Sequence, residues 1–249
     1  MLNSNLNMAD NQVYVSNVYD FEDEDLVMEF RLYYDGLLRS TQRRSESGQK
    51  DKLSTHKHKI RQCFHRQLKE HWRNNLNLRS ATKRQKGKEP VPMDEWVATQ
   101  HNQFGYSFVP LVRNEWGVMC SLDILLLRRD MSRSVMGAGD LDNRVKTLID
   151  GLSMPSAQNQ LTDDDAKPNS DESIFYSLLE DDYLISDLKV RSDALLSGWS
   201  DNDLKKHPEM EDPAFVKAII DVKIKSLDSP TFWGAFMGSA EDYELDFEF

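Results

Sequence analysis

The residues best suited to chemistry in this chain are concentrated in Gly139-Asp140-Leu141-Asp142-Asn143-Arg144, with Lys146 and Asp150 close behind. In an extended chain, positions two apart point the same way, so Asp140 and Asp142 can converge on one cation. Magnesium takes oxygen ligands and keeps several waters, so two or three carboxylates suffice to hold it. The same Asp-x-Asp also reads as a helix cap. Lys146 follows Asp142 by four residues and precedes Asp150 by four, which puts all three on one face of a helix. Such spacing serves an ordinary surface ion pair. It also serves a cation that stabilises charge developing on a phosphate. A second acidic group, Glu180-Asp181-Asp182, precedes an apolar stretch, with Asp187 five residues after Asp182. Carboxylates there are costly if buried without partners and reasonable around a metal, or they mark a polar entry to a strand.

Other metal chemistries fit less well. A calcium loop beginning at Asp140 fails, because Arg144 holds its third ligand position and Val145 the place of its glycine. His56, His58, Cys63 and His65 are crowded enough to suggest zinc, but a second ligand pair at the required spacing is missing. The three histidines fit the outer face of a basic helix. No phosphate-binding Walker loop, no Gly-x-Ser-x-Gly and no His-Glu-x-x-His occurs.

Charge is unevenly distributed. The 249 residues carry a net charge of −11, yet Arg39 to Glu89 holds 16 Lys and Arg against 4 Asp and Glu. A segregated basic block inside an acidic chain reopens nucleic acid as a partner. Lys57, Lys59, Arg61, Arg66, Lys69 and Arg73 are the residues of that block suited to phosphates, with Arg144 beside the carboxylates.

Elements to position these groups can be read along the chain. Residues 1–25 read as an acidic arm expected to be flexible. Leu26 to Tyr34 is rich in strand formers. From Thr55 the period changes, and Ile60, Phe64, Leu68 and Trp72 recur every fourth residue, predicting an amphipathic helix to about Asn74–Asn77. Phe104–Val112 and Gly117–Leu127 read as two strands of a meander, with a turn at Asn114-Glu115. Val145, Leu148, Ile149 and Leu152 predict the buried face of a short helix after Gly137–Gly139. Residues 153–173 read as a long loop, Leu178–Val190 as a return to order, and Val216–Lys225 as a last strand. The expected fold is α/β: one small mixed sheet packed against two main helices. An apolar content of 39% supports a core, and a mean hydropathy of −0.64 argues against a membrane protein. The first 30 residues contain no Lys or Arg and no apolar block, so no signal peptide is expected. Two cysteines give no disulfide framework, which makes the reducing cytoplasm the expected setting.

The combination Asp140-Leu-Asp142-Asn143-x-x-Lys146-x-x-x-Asp150-x-Leu152, with Asp181-Asp182-x-x-x-x-Asp187 downstream, resembles the RusA family of Holliday junction resolvases. The likeness is tight over 140–152 and 178–192 and looser over the order of the preceding elements. It implies a RusA-like nuclease domain over 26–228, with an insertion at about 153–173 and an acidic tail at 229–249. It implies a homodimer that cuts four-way DNA junctions with magnesium, manganese being a substitute. Asp140, Asp142 and Asp182 then correspond to the metal-binding catalytic carboxylates and Lys146 to the catalytic lysine. Asn143, Asp150, Asp181 and Asp187 form a second tier. The chain departs from the family in the insertion, in Gly139 where the family tends to have a basic residue, and in both termini. The expected function is DNA recombination and repair. The alternatives are a nuclease for other branched DNA of phage or mobile elements, or an inactive nucleic-acid-binding relative. The acid-aromatic alternation of the tail also suits docking on another protein.

Overall fold

A computed structural model describes residues 26–39, 51–83, 87–129, 138–161, 168–196 and 198–227, without the side chains of 51–53, 138–140, 159 and 201. The acidic arm at 1–25 and the tail at 229–249 lie outside the described residues, as does 162–167 within the expected insertion. In chain order the elements are β1 (Leu26–Leu37), α1 (Asp51–Asn74), α2 (Leu76–Ser80), β2 (Thr82–Lys83) and β3 (Val91–Pro92). Then come α3 (Met93–Gln100), β4 (Asn102–Gln103), β5 (Tyr106–Val112), β6 (Val118–Arg128) and α4 (Ala138–Leu152). The last are β7 (Ile174–Leu179), β8 (Ile185–Ala194), α5 (Asp201–Lys206) and β9 (Phe215–Ser226).

The α/β class and the mixed strand directions are as expected, but the strands divide between two main sheets. One has the order β1-β9-β6-β8, antiparallel except for the parallel pair β6/β8. The other has the order β4-β5-β7, with β5 and β7 parallel. The expected meander therefore does not form, because β5 and β6 belong to different sheets. The physical cause is the turn between them. Asn114–Trp116 forms a single 3-10 turn that ends at Gly117 with φ of 58°, a left-handed conformation in which glycine has no steric cost. That turn redirects the chain from one sheet to the other instead of folding it back.

The core fills the space between the sheets and helices. Ile60, Phe64, Leu68 and Trp72 of α1 are all buried, as their spacing predicts. They share one core cluster with Leu122, Ile124 and Leu126 of β6, Val216, Ile220 and Val222 of β9, and Leu178 of β7. β9 alternates buried and half-buried residues, as a strand with one covered face must. A smaller cluster of Tyr106, Phe108, Leu161 and Phe175 lies under the chain after α4. The stretch expected as a loop at 153–173 is partly ordered. Ser153 bridges to Leu179, the Met154 N–H donates to the Leu179 carbonyl at 3.0 Å, and Gln158–Gln160 forms a 3-10 turn. Among the described residues no helix is long and apolar enough to cross a membrane.

Candidate active site

Two chain segments make the site, and α4 is the first. Val145, Leu148 and Leu152 face the core, which leaves Asp142 and Lys146 exposed and Asp150 half-buried on the other side. The backbone is helical from Ala138, so the extended-chain alternation expected for Asp140 and Asp142 does not apply. Asp140 stands in the first turn of this helix, and its side chain lies outside the described residues.

The second segment is the corner after β7. The Asp181 carboxylate accepts the Tyr183 N–H at 3.3 Å and so caps the 3-10 turn Asp182–Leu184, whose Leu184 is buried. The cap holds Asp182 at the surface. Glu180 is fixed by the Asn114 N–H, which donates to its Oε2 at 2.9 Å.

These two segments meet. The Asp182 carboxyl shares a hydrogen bond with Asp181, which raises its pKa above the usual carboxylate range. Desolvation and the charges of Asp181 and Asp150 add to the rise, and Lys146 opposes it. Lys146, Asp150, Asp181 and Asp182 thus form one electrostatic cluster. Asp142 and Asp187 are not among the charges that shift Asp182. Asp187 sits on β8 beside β6, where the Ser121 hydroxyl donates to its Oδ2 at 3.3 Å. Asn143 is buried on the inner side of α4, away from the exposed row.

The basic residues divide sharply. Lys59, Arg66 and Arg73 are exposed on α1, and Lys69 is half-buried, donating to the Asp171 carbonyl at 2.6 Å. Arg66, Lys69, Glu70, Arg73 and Asn74 line a shallow depression on that surface. Arg61 and Arg144, expected to face phosphates, are instead buried. Arg61 donates to the carbonyls of Ser153 at 3.1 Å and Gln160 at 2.6 Å, and so ties the chain after α4 to α1. Its burial lowers its pKa to about 10, against the opposing charge of Asp150. Lys57 is held in an ion pair with Asp150 at 2.5 Å.

The histidines also depart from the expected outer face. His58 and His65 are buried against Phe175, with ring centroids 5.9 and 4.4 Å away. The His65 Nδ1 accepts the Tyr176 N–H at 2.9 Å, and burial lowers its pKa to about 4. His56 accepts the Arg39 N–H and is likewise lowered to about 4 by burial.

A hard cation suits the carboxylate cluster chemically. The rise of Asp182 reflects the negative charge gathered around it, which a bound cation would offset. Among the described residues no three His, Cys, Asp or Glu side chains are gathered closely enough to hold a metal ion. The expected ligand set includes Asp140, outside that search. No family model, curated protein or solved structure matches this chain.

Proposed function

We propose that the chain is a magnesium-dependent, structure-specific endodeoxyribonuclease that resolves four-way DNA junctions by phosphodiester hydrolysis. One observation carries this reading. Residues more than thirty apart in the RusA-like motif come within electrostatic reach of each other, the charges of Asp150 and Lys146 on α4 acting on Asp182 in the turn after β7.

Asp140, Asp142 and Asp182 would hold the magnesium, for which manganese can substitute. These residues would give the site Lewis acidity through the ion they hold, which would make a bound water more acidic and offset charge on a phosphate. Lys146, exposed on the same face, places a cation beside that phosphate. Asp181 orients Asp182 through the capped turn. Lys59, Arg66, Lys69 and Arg73 track the DNA backbone without reading sequence. A homodimer would present two such sites to a two-fold junction. Free Cys63 and Cys120 suit a cytoplasmic protein.

The test is cleavage of a labelled synthetic four-way junction with magnesium, beside linear duplex and flap DNA, with Asp142→Asn and Asp182→Asn as controls. Paired symmetric nicks, lost in both variants, are expected. Cutting of flaps alone would keep the site and assign another branched substrate. Tight binding without cutting, with magnesium or manganese, would overturn the enzyme and leave a nucleic-acid-binding relative.

A further inference from the structure

The segment that binds Glu180 carries a buried cation that the reading above does not use. Arg113 follows β5 directly and is 2% exposed. Its guanidinium carbon lies 4.9 Å from the ring centroid of Trp116 and 5.6 Å from that of Trp96. Lys83 covers Trp96 as well, with Nζ at 4.6 Å from the centroid. The Arg113 Nη2 donates to Glu115 at 2.6 Å, while Nε and Nη1 have no hydrogen-bond partner among the described residues. A guanidinium keeps its proton even when buried, so the ring faces and nearby carboxylates must hold its charge.

One of those carboxylates is Glu180. Its Oε2 takes the Asn114 N–H, and its own N–H donates to the Val112 carbonyl at 2.9 Å. Residues 112–116 and Glu180 are therefore interlocked from both backbone and side chain, and the next two residues are Asp181 and Asp182. We propose that Arg113 is a positioning residue for the Asp181–Asp182 turn: packed on Trp96 and Trp116, it fixes residues 112–116, to which Glu180 is fastened through the Asn114 N–H and the Val112 carbonyl. The planar guanidinium matters as much as the charge, since lysine cannot stack between two rings in the same way. The proposal rests on the nuclease reading for its activity readout, but not for its structural one.

Three variants of the full chain test it. Glu180→Gln keeps an oxygen for the Asn114 N–H, Glu180→Ala removes it, and Arg113→Lys keeps charge without the flat fork. Glu180 is half-exposed, so its variants keep the fold even if Arg113→Lys does not. With saturating junction and magnesium, Glu180→Ala and Arg113→Lys are expected to lower the single-turnover rate by about tenfold or more. Junction affinity should stay within about twofold, which separates positioning from binding. Glu180→Gln should recover most of the rate lost in Glu180→Ala. Amide hydrogen exchange at Tyr183 should quicken in Glu180→Ala and Arg113→Lys while α1 and α4 stay unchanged. Wild-type exchange at Tyr183 in Glu180→Ala would overturn the proposal whatever the cleavage data. Wild-type protein that cuts no DNA, with Tyr183 exchange quickened as expected, would overturn the nuclease reading and leave the positioning role standing.

Discussion

Gly151→Ala is predicted to loosen the helix pair that carries the site. Gly151 lies in the last turn of α4 against α1, and a Cβ built there would meet Ile60 Cγ2 at 2.4 Å and Ile60 Cβ at 3.1 Å. Ile60 is 0% exposed, so it has nowhere to turn. Ordinary contact begins at 3.4 Å, so one helix must move by about 1 Å. Overpacking of this kind costs ~1–3 kcal/mol, and alanine returns ~1 kcal/mol in helix propensity. Given the severity of the contact, the net cost should be about 1–2 kcal/mol, or roughly 2–8 °C in melting temperature. Urea unfolding followed by circular dichroism measures it, with an unchanged slope showing that only stability has moved. Ile60→Ala removes the obstructing methyl. It should itself cost ~2–5 kcal/mol, but the double variant should cost less than the sum by about 1 kcal/mol or more. Because α4 carries Lys146 and Asp150, Gly151→Ala should also slow junction cleavage, by up to ~100-fold for a displacement of this size. A Gly151→Ala protein as stable as wild type, or a double variant that costs the full sum, would refute the idea that this glycine sets the distance between the helices.

Four further outcomes are expected. The Asp182 carboxyl is raised in the folded state, first through its hydrogen bond with Asp181, so the folded chain favours its protonated form and loses that stability as pH rises through the raised pKa. Asp182→Asn should therefore raise the melting temperature at pH 7, with the gain shrinking as pH falls into the carboxyl range. His65 is lowered to about 4 by burial, so its stabilising effect is complete above pH 6.5 and is lost as pH falls from there towards 4. Denaturant titrations across that window should show His65→Gln flattening the fall by up to ~1.4 kcal/mol per pH unit, the share of one proton. Arg66→Gln and Arg73→Gln should each lower the slope of log affinity for junction DNA against log salt by about 0.9. Arg61→Gln should instead lower stability, because Arg61 ties the chain after α4 to α1.

The elements that were legible in the sequence are those whose period matches one covered face. The stripes read for α1 and α4 are buried apart from the half-buried Ile149, and β6 and β9 lie where strands were read. The errors arise where an element is covered on more than one side. α1 touches β1, α4 and β7 together, so its buried arc is wider than the Ile60–Trp72 stripe and takes in His58, Arg61 and His65. Polar residue type alone points these outward, and only their partners bring them in. α3 carries just Met93, Val97 and Ala98 towards the core, too weak a pattern to stand out among polar neighbours. The turn at Asn114–Gly117 was visible, but a turn does not say whether the next strand folds back or joins another sheet. Within the site, Lys146 and Asp150 followed from helical spacing. The approach of Asp181 and Asp182 came only from the family likeness, because no local signal links residues so far apart.

The placement of β9 has a consequence for how this protein is made. It lies between β1 and β6, pairing along Leu26–Leu37 on one side and Val118–Arg128 on the other. An inner strand of the four-stranded sheet is thus the last described strand to leave the ribosome. Until it arrives, β1 and β6 have open, apolar edges and no neighbour to join them, a state prone to mispairing with other chains. The β1–β9 pairing also closes a loop of nearly the whole domain, a slow step in folding. A nascent chain that already contains both halves of the carboxylate cluster therefore still lacks the sheet that supports it. Any activity of the site is withheld until synthesis has passed Ser226.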